Sequence, residues 1–203
     1  MKDIKTYIDE SIFGGGDIIR NTEDALKQEV IDELGKYIYD YKYISRYFDI
    51  NLGPKGYEIT NNGNSPYVTA QSCVLTELPD KGLKYKISKF CGGLLCLDSI
   101  ECTDLTAVFT PDCEFDGGLQ ILWSGYLTSL EGCPKKVNKF DCSFNKSLIS
   151  IEGAPRECKF FRWASNGIYV NGFSAKKPKK GMEPTEKNIR KYLKSKTAHI
   201  ELT

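Results

Sequence analysis

With 203 residues, 40% hydrophobic and 12% aromatic, the chain can bury one sizeable core and is too apolar to be disordered over most of its length. Lys and Arg total 28 against 27 Asp and Glu, which argues against a surface built throughout to hold nucleic acid. No apolar run approaches the ~20 residues of a membrane helix, and no membrane contact is expected.

From Met1 to Phe13, charged and apolar residues alternate without the apolar core of a secretory signal, so the expected compartment is the cytoplasm. Residues 1–20 read as an amphipathic first helix followed by a joint at Gly14-Gly15-Gly16. That glycine run follows no strand and lacks the Lys-Ser/Thr of a phosphate-binding loop. Residues 21–72 read as an N-terminal cap. Its helix, over 22–46, has Asn21 or Thr22 available as N-cap and an apolar side of Leu26, Val30, Leu34 and Ile38. Tyr37, Tyr39, Tyr41 and Tyr43 are expected to line the surface facing the first repeat. A hairpin over 48–52 and 57–60 turns at Gly53-Pro54-Lys55-Gly56.

Residues 73–172 carry a repeat. The unit Leu119-x-Ile121-x-x-Ser124-x-x-Leu127-x-x-Leu130 recurs 21 positions on as Phe140-x-Cys142-x-x-Asn145-x-x-Leu148-x-x-Ile151, and a third begins Phe161-x-Trp163-x-x-Asn166. Glu131-Gly132 and Pro134 fall in phase with Glu152-Gly153 and Pro155. Phe140 and Cys142 are two apart, so both point to one face of a short strand and Asp141 to the other. Asn145 follows the strand, where its amide can bond turn backbone, and stacked units would align such amides in a ladder. No unit buries its apolar edge alone, so stacking must supply stability. Upstream, Leu75-x-x-Leu78, Leu94-x-x-Leu97 and Leu105-x-x-Val108 read as repeat openings at uneven spacing. Four or five strands are expected, with the register from 80 to 118 left open.

Residues 173–203 read as a basic connector and a C-terminal cap: a helix over 184–194 with Thr185 as N-cap and Ile189, Tyr192 and Leu193 inward, then a closing strand at His199. From 174 on there are nine Lys or Arg against three Glu, densest at Lys176, Lys177, Lys179 and Lys180. Phosphate contact is one use of such a cluster, but no aromatic is interleaved, and Gly and Pro mark an exposed, solvated linker.

Catalysis has little material. The eight cysteines have no Cys-x-x-Cys pair, and the one histidine, His199, lies outside the repeat body, so a cysteine nucleophile lacks a base. Cys91, Cys96 and Cys102 are a weak zinc candidate, and buried reduced thiols are the simpler reading. No enzymatic activity, cofactor or metal is expected. The outward strand positions Gln120, Lys139, Asp141, Phe160 and Arg162 are the candidate protein-binding face, with ordinary solvation as the alternative.

The runs Val137-x-x-Phe140-x-Cys142-x-x-Asn145 and Cys158-x-x-Phe161-x-Trp163-x-x-Asn166-x-Ile168 resemble the leucine-rich-repeat pattern Leu-x-x-Leu-x-Leu-x-x-Asn-x-Leu, with one extra residue before Leu148 in the former. The phrase from Leu127 to Val137 is similar to the short, helix-poor repeats of uncharacterised tailed-phage proteins. The resemblance covers about half the chain. It implies an α+β fold: a short irregular leucine-rich-repeat solenoid with a parallel strand stack, an N-terminal helix and hairpin cap and a C-terminal helix cap. It further implies a phage-encoded, non-enzymatic scaffold for protein–protein interaction. The N-terminus also resembles leaders of proteins packaged in phage heads. On that resemblance Ile8-Asp9-Glu10-Ser11 is cut between Glu10 and Ser11, placing the chain in the virion interior. Nucleic-acid binding by the basic C-terminal segment is the remaining alternative. The partner's identity and the oligomeric state stay open.

Overall fold

A computed structural model describes residues 16–64, 72–166 and 178–202. The protein is mixed α+β: a stack of parallel strands wound as a β-solenoid of about four turns, with a few helices at its ends. One eight-stranded sheet contains all the strands of the described residues. An antiparallel hairpin, β1 (Phe48–Gly53) and β2 (Gly56–Asn61), leads into β3 (Ser72–Thr76), β4 (Ile87–Asp98), β5 (Phe109–Leu122), β6 (Lys139–Ser143), β7 (Phe160–Trp163) and β8 (His199–Leu202). Among the described residues, every pairing between strands beyond the hairpin is parallel.

The N-terminal helix α1 runs over Gly16–Glu33, earlier than the span 22–46 expected from spacing. Gly16, the end of the supposed joint, is its first residue. The helix ends where Leu34 and Gly35 both donate to the Val30 carbonyl. Val30, Leu34 and Ile38 are buried as their periodicity predicts, but Ile38 does so outside the helix. It bridges Leu75 while Tyr39 N–H donates to Val74 and Thr76 N–H to Tyr37, which covers the outer edge of β3. Tyr37, Tyr41 and Tyr47 pack on the core, whereas Tyr39 stays exposed. A single turn, α2 (Tyr41–Ile44), leads into the hairpin.

Register across the stack places side chains in columns. Two point inward: Cys73, Leu95, Leu119, Phe140, Phe161 and Ile200, then Leu75, Leu97, Ile121, Cys142 and Trp163. Returning turns place Cys102, Leu127, Leu148, Leu105, Leu130 and Ile151 beneath them, all fully buried. Each such side chain contributes about 1.5–3 kcal/mol on burial, and successive coils share the core, so no coil is separable. The last coil is the described part of the tail. Met182 C=O accepts from Ile151 N–H, Arg156 C=O accepts from Lys194 N–H, and α3 (Glu186–Tyr192), with Thr185 as N-cap, closes the end.

Leu105-x-x-Val108 is not a strand. It occupies the return run that Leu130-x-x-Cys133 and Ile151-x-x-Ala154 occupy in later coils. The strands upstream are β3, β4 and β5, and β4 and β5 are long because each does two jobs. The first half of β4 pairs with the hairpin strand β2 and its second half with β3, with a register slip between Cys91 and Leu94.

The two later return runs each pass through a tight corner, at Gly132 and Gly153, both at φ near +86°, where a Cβ would lie 2.3 Å from Thr106 N or 2.4 Å from Leu130 C. Gly153→Ala therefore combines a left-handed backbone with a backbone clash, and is expected to cost about 2–5 kcal/mol in urea unfolding. Gly125→Ala, with open space around its Cβ, should stay within about 0.5 kcal/mol of the parent. Equal effects at the two positions would show that the corner is not tightly packed.

Candidate interaction face

Strand alternation sends every second residue to the outer face of the sheet. One outward column reads Val74, Cys96, Gln120, Asp141, Arg162, Glu201; a second reads Ser72, Leu94, Gly118, Lys139, Phe160, His199; a third reads Thr76, Asp98, Leu122, Ser143. All five candidate face residues thus lie on one surface, in two adjacent columns.

Their environments differ. Asp141 is 3% exposed although it points outward. Its carboxylate accepts from Ser143 Oγ at 2.6 Å and from Gln120 Nε2 at 3.3 Å, and Arg162 Nη1 lies 3.7 Å away. The side chains of the neighbouring coils, Gln120 and Arg162, reach across it, so strand parity assigns the face but not the exposure. Arg162 Nε sits 3.4 Å from Glu201 Oε1 yet out of line for a hydrogen bond, and it is buried without a partner. The result is a fixed polar row, amide, carboxylate, guanidinium, carboxylate, running along the solenoid. Because a buried carboxylate is expensive unless paired, the row is held in one arrangement.

In the adjacent column, Lys139 Nζ stands 5.2 Å above the half-buried Phe160 ring, and Phe160 stacks on the exposed His199 with centroids 5.4 Å apart. A cation, an apolar ring and an imidazole thus border the polar row.

The basic tail divides. Lys176 and Lys177 lie outside the described residues, as do Glu10 and Ser11 of the leader motif. Lys179 is exposed and ion-paired with Glu152, and Lys180 is exposed. Surface pairs of this kind contribute little to stability, so Lys179 stays available electrostatically while its backbone belongs to the last coil.

Two features escaped the sequence reading. Trp123 and Phe144, at consecutive strand ends, stack face to face at 4.4 Å and 6°. They are 21 residues apart and just precede Ser124 and Asn145, so their phase was the available signal. The second is charge segregation hidden by the near-zero total. Up to position 134 there are 12 Lys and Arg against 21 Asp and Glu; beyond it there are 16 against 6. A shallow cavity of about 370 Å³ at the basic end is lined by Lys136, Asn138, Lys159, Lys194 and Ser195, with Glu157 paired to Lys194.

The eight cysteines are free thiols, and six of them, Cys73, Cys96, Cys102, Cys133, Cys142 and Cys158, are buried. Burial pushes Cys73 up to about 12, Cys96, Cys102 and Cys158 up to about 11, and Cys133 and Cys142 well above the ordinary thiol value. Thiols so buried stay protonated at neutral pH. Among the described residues no three His, Cys, Asp or Glu side chains are grouped to hold a metal, and no helix is long and apolar enough to cross a membrane.

The fold defines the class: a repeat protein of solenoid architecture. No family model matches the chain, no curated protein matches its sequence, and no solved structure matches it.

Proposed function

We propose that the chain is a non-enzymatic, phage-encoded binding protein of leucine-rich-repeat type that docks another protein on its outer strand face, in the host cytoplasm. The observation that carries the docking reading is the row Gln120, Asp141, Arg162 and Glu201. It is an ordered polar surface bordered by Lys139, Phe160 and His199, and holding it ordered in the free protein lowers the entropic cost of binding. A central arginine and an aromatic ring beside it are residue types enriched where binding energy concentrates. Support for the repeat type comes from Asn145 and Asn166, whose amides bond the neighbouring coil as the asparagines of that pattern would.

Nucleic-acid binding at the C-terminal end is a second reading, supported by the 16-to-6 excess of basic over acidic residues beyond position 134 and by the lysine-lined cavity. One capture experiment separates the two. Immobilised protein is exposed to lysate of the source, with Lys139→Glu, Phe160→Ala and, as an off-face control, Lys81→Glu compared at equal melting temperature. The expected result is a protein partner retained by the parent and the control and weakened at least tenfold by either face variant. Retention of nucleic acid instead, falling steeply between 50 and 200 mM salt as about one counterion is released per phosphate contact, would replace the docking reading with the second.

A further inference from the structure

At the ends of β3, β4, β5, β6 and β7 the chain turns through one non-glycine residue in the left-handed region: Glu77 (φ 54°), Ser99 (54°), Trp123 (56°), Phe144 (61°) and Ser165 (52°). Backbone bonds between coils hold these corners in line. Glu77 N–H donates to Asp98 C=O, Ser99 N–H to Leu122 C=O, and Phe144 N–H to Ala164 C=O. Like backbone at like positions sends the five side chains the same way, as a row along the solenoid. Serine satisfies this corner at 99 and 165, so the corner itself does not require the two large rings between them. Trp123 is 57% exposed, and Tyr126, three residues on, is 64% exposed. Surface of that size left in water points to a ligand more than to stability.

Phe144 covers one face of the indole, parallel and at stacking distance. The other face looks along the row toward Ser99, which carries no ring. Glu77 stands one coil further, so from Trp123 to Glu77 spans two strand spacings, about 9–10 Å. That interval accommodates one planar group lying on the indole beneath a carboxylate. One more acid sits beside the corner: Asp98, whose carboxylate accepts from Ser99 Oγ. The charge changes sign across the stack, since Lys146 follows Asn145 on the Phe144 side. A floor of π-electrons and walls of carboxylate fit a cation, and a flat, weakly hydrated one best.

We propose that the slot between Trp123, Ser99 and Glu77 binds an arginine side chain of a partner protein, its guanidinium stacked on the indole and its N–H groups directed to Glu77 and Asp98. The inference rests on the reading of the chain as a protein binder and adds the chemistry the partner brings. The slot is separate from the Lys139–Phe160 column, so lysate capture and peptide titration succeed or fail independently.

The test is a fluorescence and calorimetric titration of the full chain at low salt with blocked tetra-arginine, tetra-citrulline and tetra-lysine. Citrulline keeps the planar shape without the charge, and lysine keeps the charge without the plane. Trp163 is buried and Trp123 exposed, so quenching reports on the slot. Tetra-arginine is expected to quench with at least tenfold higher affinity than tetra-citrulline and several-fold higher than tetra-lysine. Trp123→Leu should abolish the calorimetric signal, and Glu77→Gln and Asp98→Asn should each weaken it threefold or more at an unchanged melting temperature. Equal binding of tetra-citrulline, equal binding of tetra-lysine, or undiminished binding by Trp123→Leu would each overturn the slot. So would the absence of any response to tetra-arginine.

Discussion

Asn145→Ala is expected to remove about 3–5 kcal/mol of stability, a large fraction of the 5–15 kcal/mol typical of a folded domain. Asn145 is wholly buried. Its Oδ1 accepts from Ser124 N–H at 3.0 Å and its Nδ2 donates to Ile121 C=O at 2.8 Å, so the amide ties its own coil to the preceding one. Alanine leaves that N–H and that C=O in the core without partners and adds a small cavity. The next rung is built the same way, Asn166 Oδ1 accepting from Asn145 N–H and Nδ2 donating to Cys142 C=O. Asn166 is only half-buried, so water can replace part of what Asn166→Ala removes, and its loss should be smaller, about 1–2 kcal/mol. Asn145→Ser should fall between parent and alanine, because Ser124 fills the corresponding position one coil earlier and accepts from Ile100 N–H with its hydroxyl. Urea unfolding at constant m-value reads all three. Equal losses at 145 and 166 would mean that burial is not what makes the ladder matter.

That ladder was legible from Ser124, Asn145 and Asn166 at equal spacing because β5, β6 and β7 meet one requirement per coil: a two-residue inward pattern, a polar corner and a return run. The stretch from 80 to 118 was not legible because β4 and β5 meet two. Their first halves build a flat core of Phe48, Phe90, Phe109 and Phe115 with the hairpin, and only their second halves belong to the solenoid. The inward residues Leu75, Leu97 and Ile121 are therefore 22 and 24 apart instead of 21. Leu105, apolar and three residues before Val108, reads as a repeat opening despite its uneven spacing, because return runs and strands bury leucines equally.

The outer face was legible to the extent that parity decides it. Gln120, Lys139, Asp141, Phe160 and Arg162 do share a surface, since alternation is a property of extended backbone. That Asp141 is covered while Lys139 is exposed depends on the reach of side chains from neighbouring coils, which one strand's sequence does not carry. The Trp123–Phe144 stack lies at a corner, outside any alternation, and only alignment of coils reveals two rings meeting there. The charge segregation was visible in principle, but a single total conceals a gradient along a solenoid, in which position in sequence becomes position along an axis.

Because that core is rich in thiols, stability should collapse between pH 9 and about 11, with the chain kept reduced throughout. Desolvation pushes the thiols upward from an ordinary value of 9.0, Cys96, Cys102 and Cys158 to about 11, Cys73 to about 12, and Cys133 and Cys142 well above the ordinary value. These six thiols therefore stay protonated in the folded protein at pH values where the unfolded chain, from near pH 9, releases them. Below that value both states are protonated and the stabilisation is fully present. Above it, each thiol costs the fold about 1.4 kcal/mol per pH unit until the solution reaches its folded value. Six together amount to several kcal/mol per unit, on the order of the whole stability. Buried Tyr57, raised by the same desolvation, adds to the loss once the unfolded phenol titrates near 10. Circular dichroism melts at pH 8, 9, 10 and 11 should show a melting temperature flat to about pH 8.5 and then falling steeply. Cys158→Ala, beside the chain's basic end, and Cys96→Ala, on the outer face, should each make that fall shallower by one thiol's share even where they lower stability at pH 8. A profile level to pH 10 would mean that the unfolded chain and the native core hold these protons equally, and that burial does not govern the thiols as the fold requires.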